Sequence, residues 1–266
     1  MRRGAKLATV AVVAFLVVVI ARFPARWAAG ALPAGTTCLK LSGTLWSGTC
    51  AGLMQAGAPV GDLTWRLRPL RLLTGSLSAD VVLARGSGMA SGRVNIGPSG
   101  AVTAHGLRVA FPLDRALVPA LPPGMQGSVQ ADIPLLKAKD LRIIAVNGRI
   151  DVRGLTDGRG EPIGDYRLTF PAGASSAPAP AGSASNPSNP SNPGSTLAAE
   201  PVGHLTDLGG PFAVDGTVRL TPEPGYVIDA QVAARPGAPP EMVNAMRFLG
   251  SPDSRGRRPL SLAGTF

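Results

Sequence analysis

The sequence predicts a mainly β protein: an N-terminal transmembrane helix, then a coiled antiparallel β-meander sheet with one or two short helices. Three observations carry this. Apolar and polar residues alternate with a period of two in segment after segment, the signature of half-buried strands. The 266 residues include 34 Gly and 26 Pro, and both work against long helices: Gly costs backbone entropy, and Pro removes a donor and clashes in a helix interior. One uncharged apolar run, Leu7 to Ala21, follows a basic tip. With 45% hydrophobic and 16% charged residues, the chain is too apolar to be wholly disordered.

Residues 1–27 read as a cytoplasmic tip and membrane anchor. Arg2, Arg3 and Lys6 precede the apolar run, the arrangement that the positive-inside rule assigns to a cytoplasmic amino terminus. The run extends roughly 22 Å as helix against a hydrocarbon core of roughly 30 Å. Snorkelling of Arg22 and Arg26, with Phe23 and Trp27 at the interface, extends the span to about Trp27. A cleaved signal peptide is the competing reading, with Ala29, Gly30 and Ala31 as the small residues of a cleavage site. The two arginines between the apolar core and that site favour an uncleaved anchor.

Residues 28–171 read as a β-rich region outside the cytoplasm. Cys38 and Cys50 are the two cysteines of the chain and bracket a strand-like stretch with a Ser-Gly turn signal at its middle. In an exported chain they form a candidate disulfide pinning a hairpin, two free thiols being the alternative. Alternation marks strands at 77–83, 92–96, 127–133, 148–152 and 166–170. A short helix is predicted over Asp114–Val118, capped by Asp114 and ended by Pro119. Residues 172–200 are a Pro, Ser, Ala and Asn-rich insert with almost no large apolar side chain, read as a flexible connection inside one sheet or between two subdomains. Residues 201–266 resume the strands, at 214–220 and 226–232. They add a helix over Pro239–Leu249 that starts on Pro and Glu, aligns Met242, Met246 and Leu249 on one stripe and stops at Gly250. Gly followed by a polar and then an apolar residue recurs at Gly43, Gly75, Gly92, Gly127, Gly148, Gly216 and Gly264. The expectation is a glycine at each strand start, allowing a bulge or bend that coils the sheet.

The formal charge of +10 suggests an acidic partner, but Arg2, Arg3, Lys6, Arg22, Arg26 and Lys40 all precede the first acid, Asp62. Beyond that point the balance is nearly even. Aromatics make up 5% of the chain and no basic block interleaves with them, which argues against nucleic acid. No nucleophile elbow, phosphate loop or zinc-protease motif is present. Gly86-Ser-Gly88 and Gly158-Arg-Gly160 read as turns, and His105 and His204 as isolated surface or strand residues. Asp62, Arg66 and Arg68 alternate around Trp65, as on a solvated strand face with the indole in the core. Neither a catalytic residue nor a cofactor, metal or small-molecule substrate is expected.

Several stretches together resemble general secretion pathway protein N, the N subunit of the bacterial type II secretion system. They are the anchor ending in Phe23 to Trp27; Leu41 to Gly48, with Gly43, Trp46 and Gly48; Gly61 to Leu70, with Trp65 and Pro69; and a carboxyl end containing Gly216, Leu249, Gly250 and Gly264. The resemblance implies a single-pass inner-membrane protein with a periplasmic body, a non-catalytic accessory to the export of folded proteins across the outer membrane. Its implied partners are the secretin or the inner-membrane platform subunits. The motif residues are read as bend, core and edge positions. The rival from another class is a membrane-anchored periplasmic carrier of lipid or another hydrophobic ligand, since a coiled sheet with an apolar groove shields acyl chains.

Overall fold

The structure, a computed structural model, describes residues 15, 18–19, 22–26, 35–113, 115, 121–140, 142–172 and 200–265. Thirteen strands lie among them, and they fall in two compact units, Met1–Ser99 and Gly100–Phe266.

The first unit contains β1 (Thr36–Gly43), β2 (Ser47–Gln55), β3 (Ala58–Leu67), β4 (Leu77–Arg85) and β5 (Gly88–Ile96), each antiparallel to its chain neighbour. Alternation sorts the side chains by face. Leu63, Trp65 and Leu67 lie opposite Leu83, Val81 and Ala79, while Asp62, Thr64 and Arg66 lie opposite Ala84, Val82 and Asp80. A 3-10 turn, Pro69–Thr74, connects β3 to β4.

The second unit contains β6 (Val102–Leu113), β7 (Gln126–Lys139), β8 (Arg142–Thr156), β9 (Pro162–Phe170), β10 (Val202–Gly209), β11 (Phe212–Thr221), β12 (Gly225–Ala234) and β13 (Arg258–Thr265), again an antiparallel meander. β9 pairs directly with β10, Leu168 facing Leu205, so the chain on either side of the insert belongs to one sheet. Residues 173–199 of that insert lie outside the described residues. Helix α1 (Pro240–Ala245) runs into a 3-10 turn (Met246–Leu249) that ends at Gly250. Its apolar stripe packs as its spacing predicts: Met246 is buried with Phe212, Val214, Ala230 and Val232, and Met242 and Leu249 flank them.

The recurrent glycines correct one expectation. Gly75 and Gly127 do lie at strand entries, before β4 and at the start of β7, but Gly92, Gly148 and Gly216 sit inside strands and Gly43 and Gly264 near strand ends. Packing explains Gly216, where a Cβ would run into Ala230, its partner across the pair, and the Asp229 carbonyl. Register shifts occur elsewhere, on β2 against β3, β7 against β8, β8 against β9 and β9 against β10. The first hairpin also turns later than its Ser-Gly signal, at Thr44–Trp46, because Ser42 and Gly43 still pair with Thr49 and Gly48. Gly86-Ser87 is the two-residue turn closing β4 on β5, and Asp157 to Gly160 forms another turn.

The helix expected at Asp114–Val118 lies outside the described residues apart from Arg115, which is in a turn. The anchor over Leu7 to Ala21 and Trp27 is also largely outside them; Phe15, Val18 and Val19 are helical and exposed. Among the described residues no helix is long and apolar enough to cross a membrane.

Candidate functional site

Of the residues singled out, Gly43 to Gly48 and Trp65 to Leu70 meet at one end of the first unit. The β1–β2 turn there is held by Thr44, whose N–H donates to the Ser47 carbonyl (2.8 Å) and whose hydroxyl accepts from the Ser47 N–H (3.2 Å). Trp65 Nε1 donates to the Leu45 carbonyl at 3.1 Å, and the Leu67 N–H donates to the Trp46 carbonyl at 2.6 Å. Gly48 lies under the Trp65 ring, where a Cβ would strike the indole. These contacts knit the turn to the end of β3. Onto the same turn the amino-terminal segment docks: Leu45 donates to the Phe23 carbonyl at 2.9 Å, Pro24 forms a bridge with Thr44, and Ala25 is buried.

Beyond β3 the extended Arg68 leads into Pro69, which starts the 3-10 turn where its missing N–H costs nothing. Gly75 ends that turn in the left-handed region (φ 70°), its N–H donating to Leu72 at 3.0 Å. Arg68 reaches back to Asp80, Nε at 3.0 Å and Nη2 at 2.8 Å from Oδ2, and Arg93 Nε holds Oδ1 at 2.8 Å. The Arg93 and Arg68 hydrogen bonds keep the Asp80 carboxyl below the usual aspartate range. Two open grooves meet at Arg66 and Asp80. One, of about 510 Å³, runs over Ser47, Thr49, Thr64 and Val82, and the other, of about 730 Å³, lies under Leu70, Arg71 and Thr74.

A carboxylate clamped between two guanidiniums is a poor proton acceptor, so this surface suits recognition better than acid–base chemistry. Asp62 of the alternating trio is likewise engaged, accepting from the Gly52 N–H at 2.7 Å. Sequence reasoning missed Asp80 and Arg93, although the two-residue turn at Gly86-Ser87 sets them opposite each other. Cys38 and Cys50 are joined by a disulfide, with Cα atoms 5.8 Å apart, inside the normal bridging range. The bridge is diagonal, because the register sets Cys38 opposite Leu53 and Cys50 opposite Leu41.

The remaining singled-out residues lie elsewhere. Gly216 and Gly264 border β12 from its two sides, Leu249 flanks the helix core, and Gly250 caps it. His105 is exposed on β6, and His204 on β10 shares a shallow groove with Asp215 and Asp229. Asp229 itself is held by Arg219 and Ser261, both at 2.9 Å. Among the described residues no cluster of His, Cys, Asp and Glu is built to hold a metal ion.

The family model described as type II secretion system (T2SS), protein N, matches residues 34–187 and 193–261. The chain belongs to the type II secretion system protein N family. Type II secretion system protein N of Aeromonas hydrophila is 27% identical over 270 residues, covering 99% of both chains. Its namesake in Vibrio cholerae is 38% identical over 87 residues, 31% of this chain and 34% of the relative. No solved structure matches the chain. Membership of the protein N family gives the chain a role in type II secretion and implies contact with other parts of that system. Both grooves and the turns that frame them fall inside the region the protein N model matches.

Proposed function

We propose that this chain is a non-catalytic accessory subunit of the type II secretion system, tethered in the inner membrane by one amino-terminal helix. Its amino terminus is cytoplasmic, its β body is periplasmic, and its partners are the secretin or the inner-membrane platform subunits. The observation that carries this reading is the groove of mixed polar and apolar lining that runs over Ser47, Thr49, Thr64 and Val82 in the first unit. It is open, it is walled by residues of β2, β3 and β4, and the acid that lines it, Asp80, is tied to Arg68 and Arg93. A surface of this kind offers hydrogen-bonding edges to a protein partner. Photoreactive residues introduced at Thr64 and Val82 test it in secreting cells. The expected result is an adduct with a secretin or platform subunit, together with loss of secretion on deletion of the gene. Normal secretion after deletion, with no such adduct, rejects it.

A second reading has its own support. Across the second unit one face is apolar from strand to strand: Leu107, Val109 and Phe111 on β6 face Ile133, Ala131 and Val129 on β7, followed by Ile150 and Val152 and then Leu168 and Tyr166. Helix α1 covers the portion near β11 and β12. An anchored carrier of lipid would use such a face, and it would copurify with phospholipid while deletion left secretion intact.

A further inference from the structure

The loop between β3 and β4 is unusual in this molecule: it is at once basic, leucine-rich and outward-facing. Leu70 is 78% exposed and Leu72 44%. The turn holds no acid in its first residues and carries Arg71, with Arg66 and Arg68 just before it. Among the described residues Arg66 and Arg71 make no ion pair. Asp80, which lies opposite Arg66 and lines a groove with Arg71, is already matched by two arginines. Exposed leucines interleaved with free guanidiniums are the composition that settles at a bilayer interface, apolar groups among the upper acyl carbons and cations at anionic headgroups.

Position supplies the second argument. The turn leaves the sheet where β3 ends, and Leu67 there bonds Trp46, the neighbour of the Leu45 that bonds Phe23. The segment Phe23–Arg26, which follows the apolar run, therefore attaches at the same end of the first unit as the turn. Leu77 and Ile96, a directly opposed pair at that end, are 37% and 39% exposed. The other end of the sheet holds the β2–β3 and β4–β5 turns.

We propose that the Pro69–Thr74 turn is a foot that rests on the anionic phospholipid surface of the membrane holding the amino-terminal helix, with Leu70 and Leu72 inserted and Arg66 and Arg71 at the headgroups. The inference rests on the anchored reading above, and its test separates the two. The full-length protein is reconstituted in vesicles of phosphatidylcholine with or without phosphatidylglycerol, with a nitroxide at Leu70→Cys, Val19→Cys or Met89→Cys. The native cysteines are joined to each other, so the introduced thiol takes the label. The expected result, by power saturation, is a severalfold loss of nickel-chelate accessibility at position 70 in phosphatidylglycerol vesicles, weakened by Arg71→Gln. Position 89 at the far end stays accessible and position 19 is buried. A label at 70 that stays accessible while 19 is buried overturns the foot and leaves the anchor standing; accessibility at both positions overturns the anchor and the foot together. Equal protection without phosphatidylglycerol overturns the headgroup role. Protection that appears only when secretion subunits are added assigns the leucines to a protein partner instead.

Discussion

Asp151 on β8 and Arg167 on β9 stand directly opposite each other and are joined by two parallel hydrogen bonds, Nε to Oδ1 at 2.7 Å and Nη2 to Oδ2 at 2.9 Å. Arg153 adds a longer contact at 3.5 Å. Asp151 lies on the polar face yet is only 7% exposed, because the two arginines cover it. A forked, partly buried pair is the kind of ion pair that contributes to stability, unlike most surface pairs.

Replacing Asp151 by Asn removes the charge and keeps the shape, so the loss should be about 1.5–3 kcal/mol, the range for hydrogen bonds to charged groups. Urea unfolding of the full chain in detergent, followed by circular dichroism, measures it. The Arg167 hydrogen bonds hold the Asp151 carboxyl below its ordinary range. Its contribution is therefore fully present above the unfolded-state value, about pH 4, and is lost as pH falls through the lower folded-state value. The gap between wild type and Asp151→Asn should narrow below about pH 4; a gap that widens in acid would contradict the sign.

Removing the Cys38–Cys50 bridge frees a loop with a sequence separation of 12. The Cys38→Ser, Cys50→Ser double variant should lose about 2–4 kcal/mol. The same loss should appear in the wild type on adding reductant, and reductant should leave the variant unchanged. Trp fluorescence, reporting from Trp65 near the hairpin, is the suitable signal.

Gly216→Val places atoms where Ala230 and the Asp229 carbonyl already lie. Overpacking of this kind costs about 1–3 kcal/mol. Stability equal to wild type would mean that β11 and β12 are not in the register described.

The terminal helix offers a paired test, because Met246 and Phe248 are two residues apart with opposite surroundings. Met246 is buried in the core of the second unit, and Phe248 is 91% exposed. Met246→Ala should cost about 2–4 kcal/mol and expose the helix to trypsin at Arg247. Phe248→Ala should stay within about 0.5 kcal/mol of wild type.

Much of the β architecture was legible because it is local. Leu77 to Val81, Tyr166 to Phe170 and Ile228 to Val232 alternate cleanly, and each falls inside an observed strand. Strand β6 escaped because His105 and Gly106 are exposed in succession, with Gly106 in the left-handed region (φ 58°). The apolar face of β6 thus moves from Ala104 to Leu107, three positions and not two, and a period-two template fails there.

By itself the sequence determined which side chains share a face, which stripe of the last helix is buried, and where the shortest turn falls. That turn, Gly86-Ser87, even dictates that Asp80 meets Arg93, since a two-residue hairpin leaves one register. Tertiary structure alone decided that Asp151 meets Arg167, because the bulge between Val152 and Leu155 shifts the count from the nearest turn. It also decided that Phe23 and Pro24 dock on Thr44 and Leu45, and that β9 meets β10 across the insert. Spacing along a chain sets facing because side-chain direction is a local property of the backbone. Partners separated by bulges or long connections are chosen by whichever register buries the apolar face and pairs its charges.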